Sequence, residues 1–156
     1  MATMTKTKPK TKINYYLIYS MESWLDIVEM QQAKLKFATK FVAQCAGVSS
    51  SSFYRWINDD ASVNLNTAIR ISESVQIGLC IYEKGQIPVR IQEASDLCKA
   101  IKIIRERQGM SYETLSVLTG SRTDTIKRIE NGVIPTPEML FRLLQALHLK
   151  LYGACI

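Results

Sequence analysis

Residues 111–132 read SYETLSVLTGSRTDTIKRIENG, and the fold turns on how that stretch is read. Leu115 and Leu118 lie three apart, as do Ile126 and Ile129. Such spacing predicts two short helices, each with one apolar stripe. Between them Thr119-Gly120-Ser121 marks a reversal, because glycine accepts a positive φ. Asn131-Gly132 is a stop signal for the second helix. Two helices meeting at a glycine-containing turn make a helix-turn-helix, whose second helix can enter a DNA major groove.

Working outward, residues 96–108 predict an amphipathic helix with Leu97, Ala100, Ile101 and Ile104 on one face. After Gly132, Thr136-Pro137-Glu138 supplies an N-cap, a proline at the first helical position and an acid near the positive helix end. Leu140, Leu143, Leu144 and Leu147 follow at helical spacing. The carrying residues are Ser111, Leu115, Gly120, Ile126, Arg128-Ile129-Glu130-Asn131-Gly132, Pro135 and the ladder from Leu140 to Leu147. Together they resemble the lambda-repressor-like (Cro/repressor-type, XRE) helix-turn-helix family.

Residues 38–58, ATKFVAQCAGVSSSSFYRWIN, lie on residues 111–131 when shifted by 73. Gly47 meets Gly120, Arg55 meets Arg128 and Asn58 meets Asn131. Val42 and Cys45 match Leu115 and Leu118, while Phe53 and Trp56 match Ile126 and Ile129. Leu65, Ala68 and Ile69 stripe a following helix over residues 64–75. The chain thus reads as an internal repeat. The fold class expected is mainly α: two tandem lambda-repressor-like helix-turn-helix domains, each of four to five short helices, with short β segments after each. The first copy departs from the family pattern, with Ile57 for Glu130, Asp59 for Gly132 and no proline before its fourth helix.

The expected organisation is a disordered basic arm at 1–12, a divergent first domain at 13–78, an extended or hairpin linker at 79–92 and a second domain at 93–156. Residues 13–19, INYYLIY, are read as the lead-in to the first helix, with a strand as the alternative. That helix is expected from Ser20 to about Lys34, with Trp24, Leu25 and Val28 inward. Leu79, Ile81, Ile87, Val89 and Ile91 alternate around Lys84-Gly85-Gln86, a hairpin signal in which Pro88 confines its strand to an edge. The end of the chain, LHLKLYGACI, also looks extended. These segments can pair within the chain, pair between two chains, or pack as an apolar linker.

The net charge of +6 is uneven. Lys6, Lys8, Lys10 and Lys12 stand in an opening stretch without acids. That arm suits a polyanion, or is simply a solvated tail. Cys45, Cys80, Cys98 and Cys155 form no CxxC or Cys/His cluster, and His148 is the only histidine. Metal and cofactor sites are therefore not expected. Cys45 and Cys98 fall on apolar helix faces and read as buried free thiols. No signal peptide, membrane span, phosphate-binding glycine loop or nucleophile with a base is expected from the sequence. A cytoplasmic, non-enzymatic protein is expected.

DNA reading needs short polar and basic side chains at the start of a rigidly held helix. Arg122, Thr123, Asp124 and Lys127 fit that need: lysine donates to guanine, threonine meets a thymine methyl and aspartate accepts from cytosine. Ser111 and Tyr112 open the preceding helix, where N–H groups and hydroxyls clamp a phosphate. By resemblance, Arg128 either contacts phosphate or pairs with an acid such as Glu130; the pair is the expected role. In the first copy the matching positions are Thr39, Lys40, Ser50, Ser51, Tyr54 and Arg55. The function expected is a sequence-specific double-stranded-DNA-binding transcriptional regulator, a homodimer of bacterial or phage type. The alternative is a protein-interaction module, such as an antitoxin that binds a partner protein and its own promoter.

Overall fold

The computed structural model describes residues 12–58 and 63–155. In chain order it contains β1 (Asn14–Ile18), α1 (Met21–Leu35), α2 (Thr39–Ala46), α3 (Ser50–Ile57), α4 (Leu65–Ser74) and β2 (Ile77–Glu83). Then come β3 (Val89–Ile91), α5 (Ala94–Arg107), α6 (Tyr112–Thr119), α7 (Thr123–Glu130), α8 (Pro137–Ala146) and β4 (Leu149–Cys155). The basic arm expected at 1–12 lies outside the described residues except for Lys12.

Local chemistry starts and stops these helices. Ser20, Asn64, Ser111 and Thr136 each accept a hydrogen bond from the backbone N–H three residues on, at 2.9–3.2 Å. Each bond satisfies one of the donors a helix start leaves free. Gly47 and Gly120 close α2 and α6 in the left-handed region, at φ 70° and 65°. A side chain there would strain the backbone.

The four strands form one antiparallel sheet in the order β1-β4-β2-β3. Ile77, Leu79 and Ile81 of β2 and Leu149, Leu151, Gly153 and Cys155 of β4 are buried, so one face carries the helices. Tyr15, Leu17, Cys80, Tyr82 and Tyr152 occupy the other face. At Gly153 an added Cβ would come within 3.0 Å of Ile77 Cγ2 and 3.5 Å of Ile18 Cδ1, so three strands close over this position.

Several expectations change here. Residues 14–18 are an edge strand, not a helical lead-in. Tyr16 and Ile18 turn inward while Tyr15 and Leu17 turn outward, and β4, some 140 positions away, supplies the ladder that local sequence could not reveal. Residues 79–92, read as an extended or hairpin linker, do form a hairpin, contributing most of β2 and all of β3 with Leu79 opposite Ile91 and Ile81 opposite Val89, but it is part of the shared sheet. Ile87 is left in the connection, largely exposed. Of the two thiols expected to be buried, Cys98 is, but Cys45 is exposed. Burial pushes the Cys80, Cys98 and Cys155 thiols up from their ordinary pKa.

Boundaries recur along the chain. α6 and α7 begin and end 73 positions after α2 and α3; α8 and β4 begin and end 72 positions after α4 and β2. A single cluster of buried apolar side chains runs through both halves, from Ile18 to Cys155.

Candidate nucleic-acid interface

α6 and α7 are clamped from below. Leu115, Ile126 and Ile129 are buried against the core. Leu118, expected inward, is 56% exposed, and Thr119 takes its place. On a helix at about 100° per residue, positions three and four on flank the same stripe. The reversal at Gly120 folds over the later one. Thr119 can go inside because its hydroxyl donates to the Leu115 carbonyl at 2.7 Å and lies 2.6 Å from Ser121 Oγ. Ser116 Oγ donates to the Ser121 carbonyl, fastening the turn to α6.

A second lock sits where α5, α6 and α7 meet. Arg105 is buried, and its guanidinium takes both oxygens of Glu130 while Nη1 donates to the Met110 carbonyl at 2.9 Å. Tyr112 Oη donates to Glu130 Oε2 at 2.6 Å. The Tyr112 ring lies beneath two cations, 4.1 Å from Arg105 Cζ and 5.3 Å from Lys127 Nζ. The bond to Glu130 raises the pKa of Arg105 and, most strongly among its causes, that of Tyr112. The phenol therefore remains a neutral donor.

This network corrects the expected Arg128–Glu130 pair. Two residues apart on a helix, those side chains face opposite sides. Glu130 turns in to Arg105, and Arg128 stands exposed with no ion pair among the described residues. Arg105 was not anticipated. Its signal is a cation at the position after Ile104 and four after Ile101, on the stripe that should be apolar.

The outward edge is what DNA reading requires. Within 122–128 only Ile126 is buried; Arg122, Asp124, Thr125, Lys127 and Arg128 are exposed and Thr123 is half-buried. Asp124 sits in the first turn of α7, near its positive end. Ser111 is exposed, with its hydroxyl engaged in capping Thr114 N and donating to Thr114 Oγ1. The hydroxyl of Tyr112 is taken by Glu130, and the residue is half-buried against the core.

The matching edge of α2 and α3 differs in chemistry. Lys40, Ser51, Tyr54 and Arg55 are exposed, and Thr39 and Ser50 are half-buried. Gln32 Nε2 donates to Thr39 Oγ1 at 2.9 Å, in the place of the Arg105–Tyr112 lock. Ser49, Ser51 and Ser52 share hydroxyl contacts at the start of α3, so part of their capacity is spent on the cap. The large cleft between α1 and the α8 start is lined by Glu22, Asp26, Glu29 and Glu138 against Arg142. That sign repels a polyanion.

Residues 101–152 match the Helix-turn-helix family model. The helix-turn-helix match takes in the second half of α5, all of α6, α7 and α8, and the start of β4. The matched span contains both α6 and α7. No curated protein and no solved structure matches the chain at a significant level. No helix among the described residues is long and apolar enough to cross a membrane.

Proposed function

We propose that the protein is a sequence-specific regulator of transcription, a binding protein and not an enzyme, which lays α7 in the DNA major groove. The observation that carries this reading is the polarity of α7. Ile126 and Ile129 are held in the core while Asp124, Lys127 and Arg128 are exposed and Thr123 is half-buried beside them. Lys127 and Thr123 read bases. Arg122 and Arg128 serve phosphates, joined by the backbone N–H groups at the start of α6. Tyr112 holds Lys127 over its ring and so positions it.

We infer further that α2 and α3 form a second, divergent unit of the same kind. Its support is the 73-position coincidence of helix bounds, the left-handed glycines at 47 and 120, and the asparagine C-caps at 58 and 131. Thr39, Lys40, Ser50, Ser51, Tyr54 and Arg55 would then face a neighbouring major groove. Occupancy of two grooves within a promoter represses by excluding polymerase.

The test is enrichment of bound fragments from a random duplex pool, followed by a salt titration on the recovered sequence. Lys127→Ala should weaken specific binding by about 1–3 kcal/mol and relax preference at one base pair. No enriched sequence, or binding without salt dependence, would remove the reading.

A further inference from the structure

The sheet relates the two halves of the chain by a definite operation. Cys80 and Tyr152 stand 72 positions apart and pair with each other. On either side of them the pairs exchange under the same shift: Ile77 with Cys155 becomes Leu149 with Glu83, which is also a pair. The outer ladders follow. Ile18 opposite Leu151 has its image in Ile91 opposite Leu79, Leu17 opposite Tyr152 in Arg90 opposite Cys80, and Tyr16 opposite Gly153 in Val89 opposite Ile81. Every β2·β3 pair is thus the image of a β1·β4 pair. Gln76 and His148, also 72 apart, are both left-handed, at φ 60° and 55°.

β2 and β4 run antiparallel, so a translation cannot carry one onto the other. The operation is a two-fold rotation about an axis perpendicular to the sheet between Cys80 and Tyr152. It keeps the helices of both halves on one face of the sheet, in agreement with the burial of β2 and β4. The single slip from 73 to 72 falls between α3 and α4, whose connection is one residue longer than that between α7 and α8.

α2 and α3 recur as α6 and α7 at the 73-position offset that also relates β1 to β3, so the same axis would carry α3 onto α7. A two-fold rotation preserves the component of direction along its axis, so polar edges that face along that axis face the same side together. It reverses direction across the axis, so they read a duplex in opposite senses. Duplex DNA has dyads of its own, and a two-fold reader meets it dyad to dyad. The edges are chemically unlike: Ser50, Ser51, Tyr54 and Arg55 against Thr123, Asp124, Lys127 and Arg128.

We propose that one chain acts as its own dimer and recognises an operator of two different half-sites in inverted orientation. This rests on reading both helix pairs as DNA-binding units. A chain of two independently tethered units would have no such preference for inverted order.

The experiment uses the full chain and the sequence recovered by selection. Three duplexes are compared: the recovered site, the site with one half reversed into a direct repeat, and the site with one half scrambled. Sedimentation of each complex gives its stoichiometry. The expected result is one chain per duplex, half-site centres about 10 bp apart, and a loss of roughly tenfold or more on reversing one half. Tyr54→Ala should relax preference in one half-site and Lys127→Ala in the other, with far-UV dichroism confirming that both variants fold. Equal or tighter binding of the direct repeat, two chains per site, or an unchanged preference in both half-sites with Tyr54→Ala would overturn the proposal while leaving DNA reading by α7 intact. Failure to enrich any sequence would overturn both.

Discussion

At Gln31 the two halves differ in what they bury. Its side chain is 1% exposed, and neither amide atom has a hydrogen-bond partner. The position 73 later is Ile104, an apolar member of the same helix stripe. A buried amide without partners costs about 1–3 kcal/mol. Gln31→Leu should therefore raise stability by about 1–2 kcal/mol, read as a higher urea midpoint at unchanged slope. A lower midpoint would mean that the amide is satisfied in solution. Arg105 is the opposite case, a buried cation whose partners are all in place. Replacing it by Met strands the Glu130 carboxylate, which is 2% exposed, and should cost about 3–5 kcal/mol. Tyr112→Phe keeps the ring under Arg105 and Lys127 and loses only the hydroxyl, so about 1.5–3 kcal/mol is expected. An equal loss in both variants, measured by denaturant unfolding, would show that the ion pair itself contributes little.

Among the elements, α5 owes its start to Asp96, whose carboxylate accepts from the backbone N–H groups of Gln92 and Glu93 at 3.0 Å each. Those bonds favour the ionised form and hold the Asp96 carboxyl below its ordinary pKa. The stabilisation is thus complete above the unfolded value, about 3.9, and is lost as pH falls through the lower folded value. Asp96→Ala should cost about 1 kcal/mol at neutral pH. Wild type and variant should converge in acid, as followed by thermal unfolding across pH. A gap that persists in acid would assign the loss to something other than the carboxylate. Helices such as α5 and α8 were legible because caps, proline position and apolar spacing are written within a dozen residues. β1 was not, since a five-residue strand with four apolar side chains carries no sign of its partner. Leu118 failed for a subtler reason: three- and four-residue spacing both fit one stripe, and only the turn decides between them. In the site, the outward edge of α7 followed from its apolar anchors. The Arg105 lock joins positions 25 residues apart, and no local pattern pairs them.

Taken whole, the molecule cannot be divided where its sequence repeats. β4, at the end of the second half, lies between β1 and β2 of the first, and Gly153 is packed against Ile18, Ile27 and Ile77. Removing either half would expose a central strand edge and the apolar side chains beneath it. The two halves should therefore unfold together, in one transition. The chain offers a clean probe, because Trp24 and Trp56 are its only tryptophans and both belong to the first half. Trp24 is buried, with its indole N–H donating to Ser72 Oγ at 2.8 Å, so its emission reports that half directly. Leu140, 1% exposed on α8, is far from both in sequence. Truncation at such a site costs about 2–5 kcal/mol. With Leu140→Ala, the denaturant midpoint seen by tryptophan emission should fall by the same amount as that seen by far-UV dichroism. A tryptophan transition left in place while the dichroism splits into two steps would mean that the halves are energetically separate. The sheet would then be a contact between two domains and not a shared foundation.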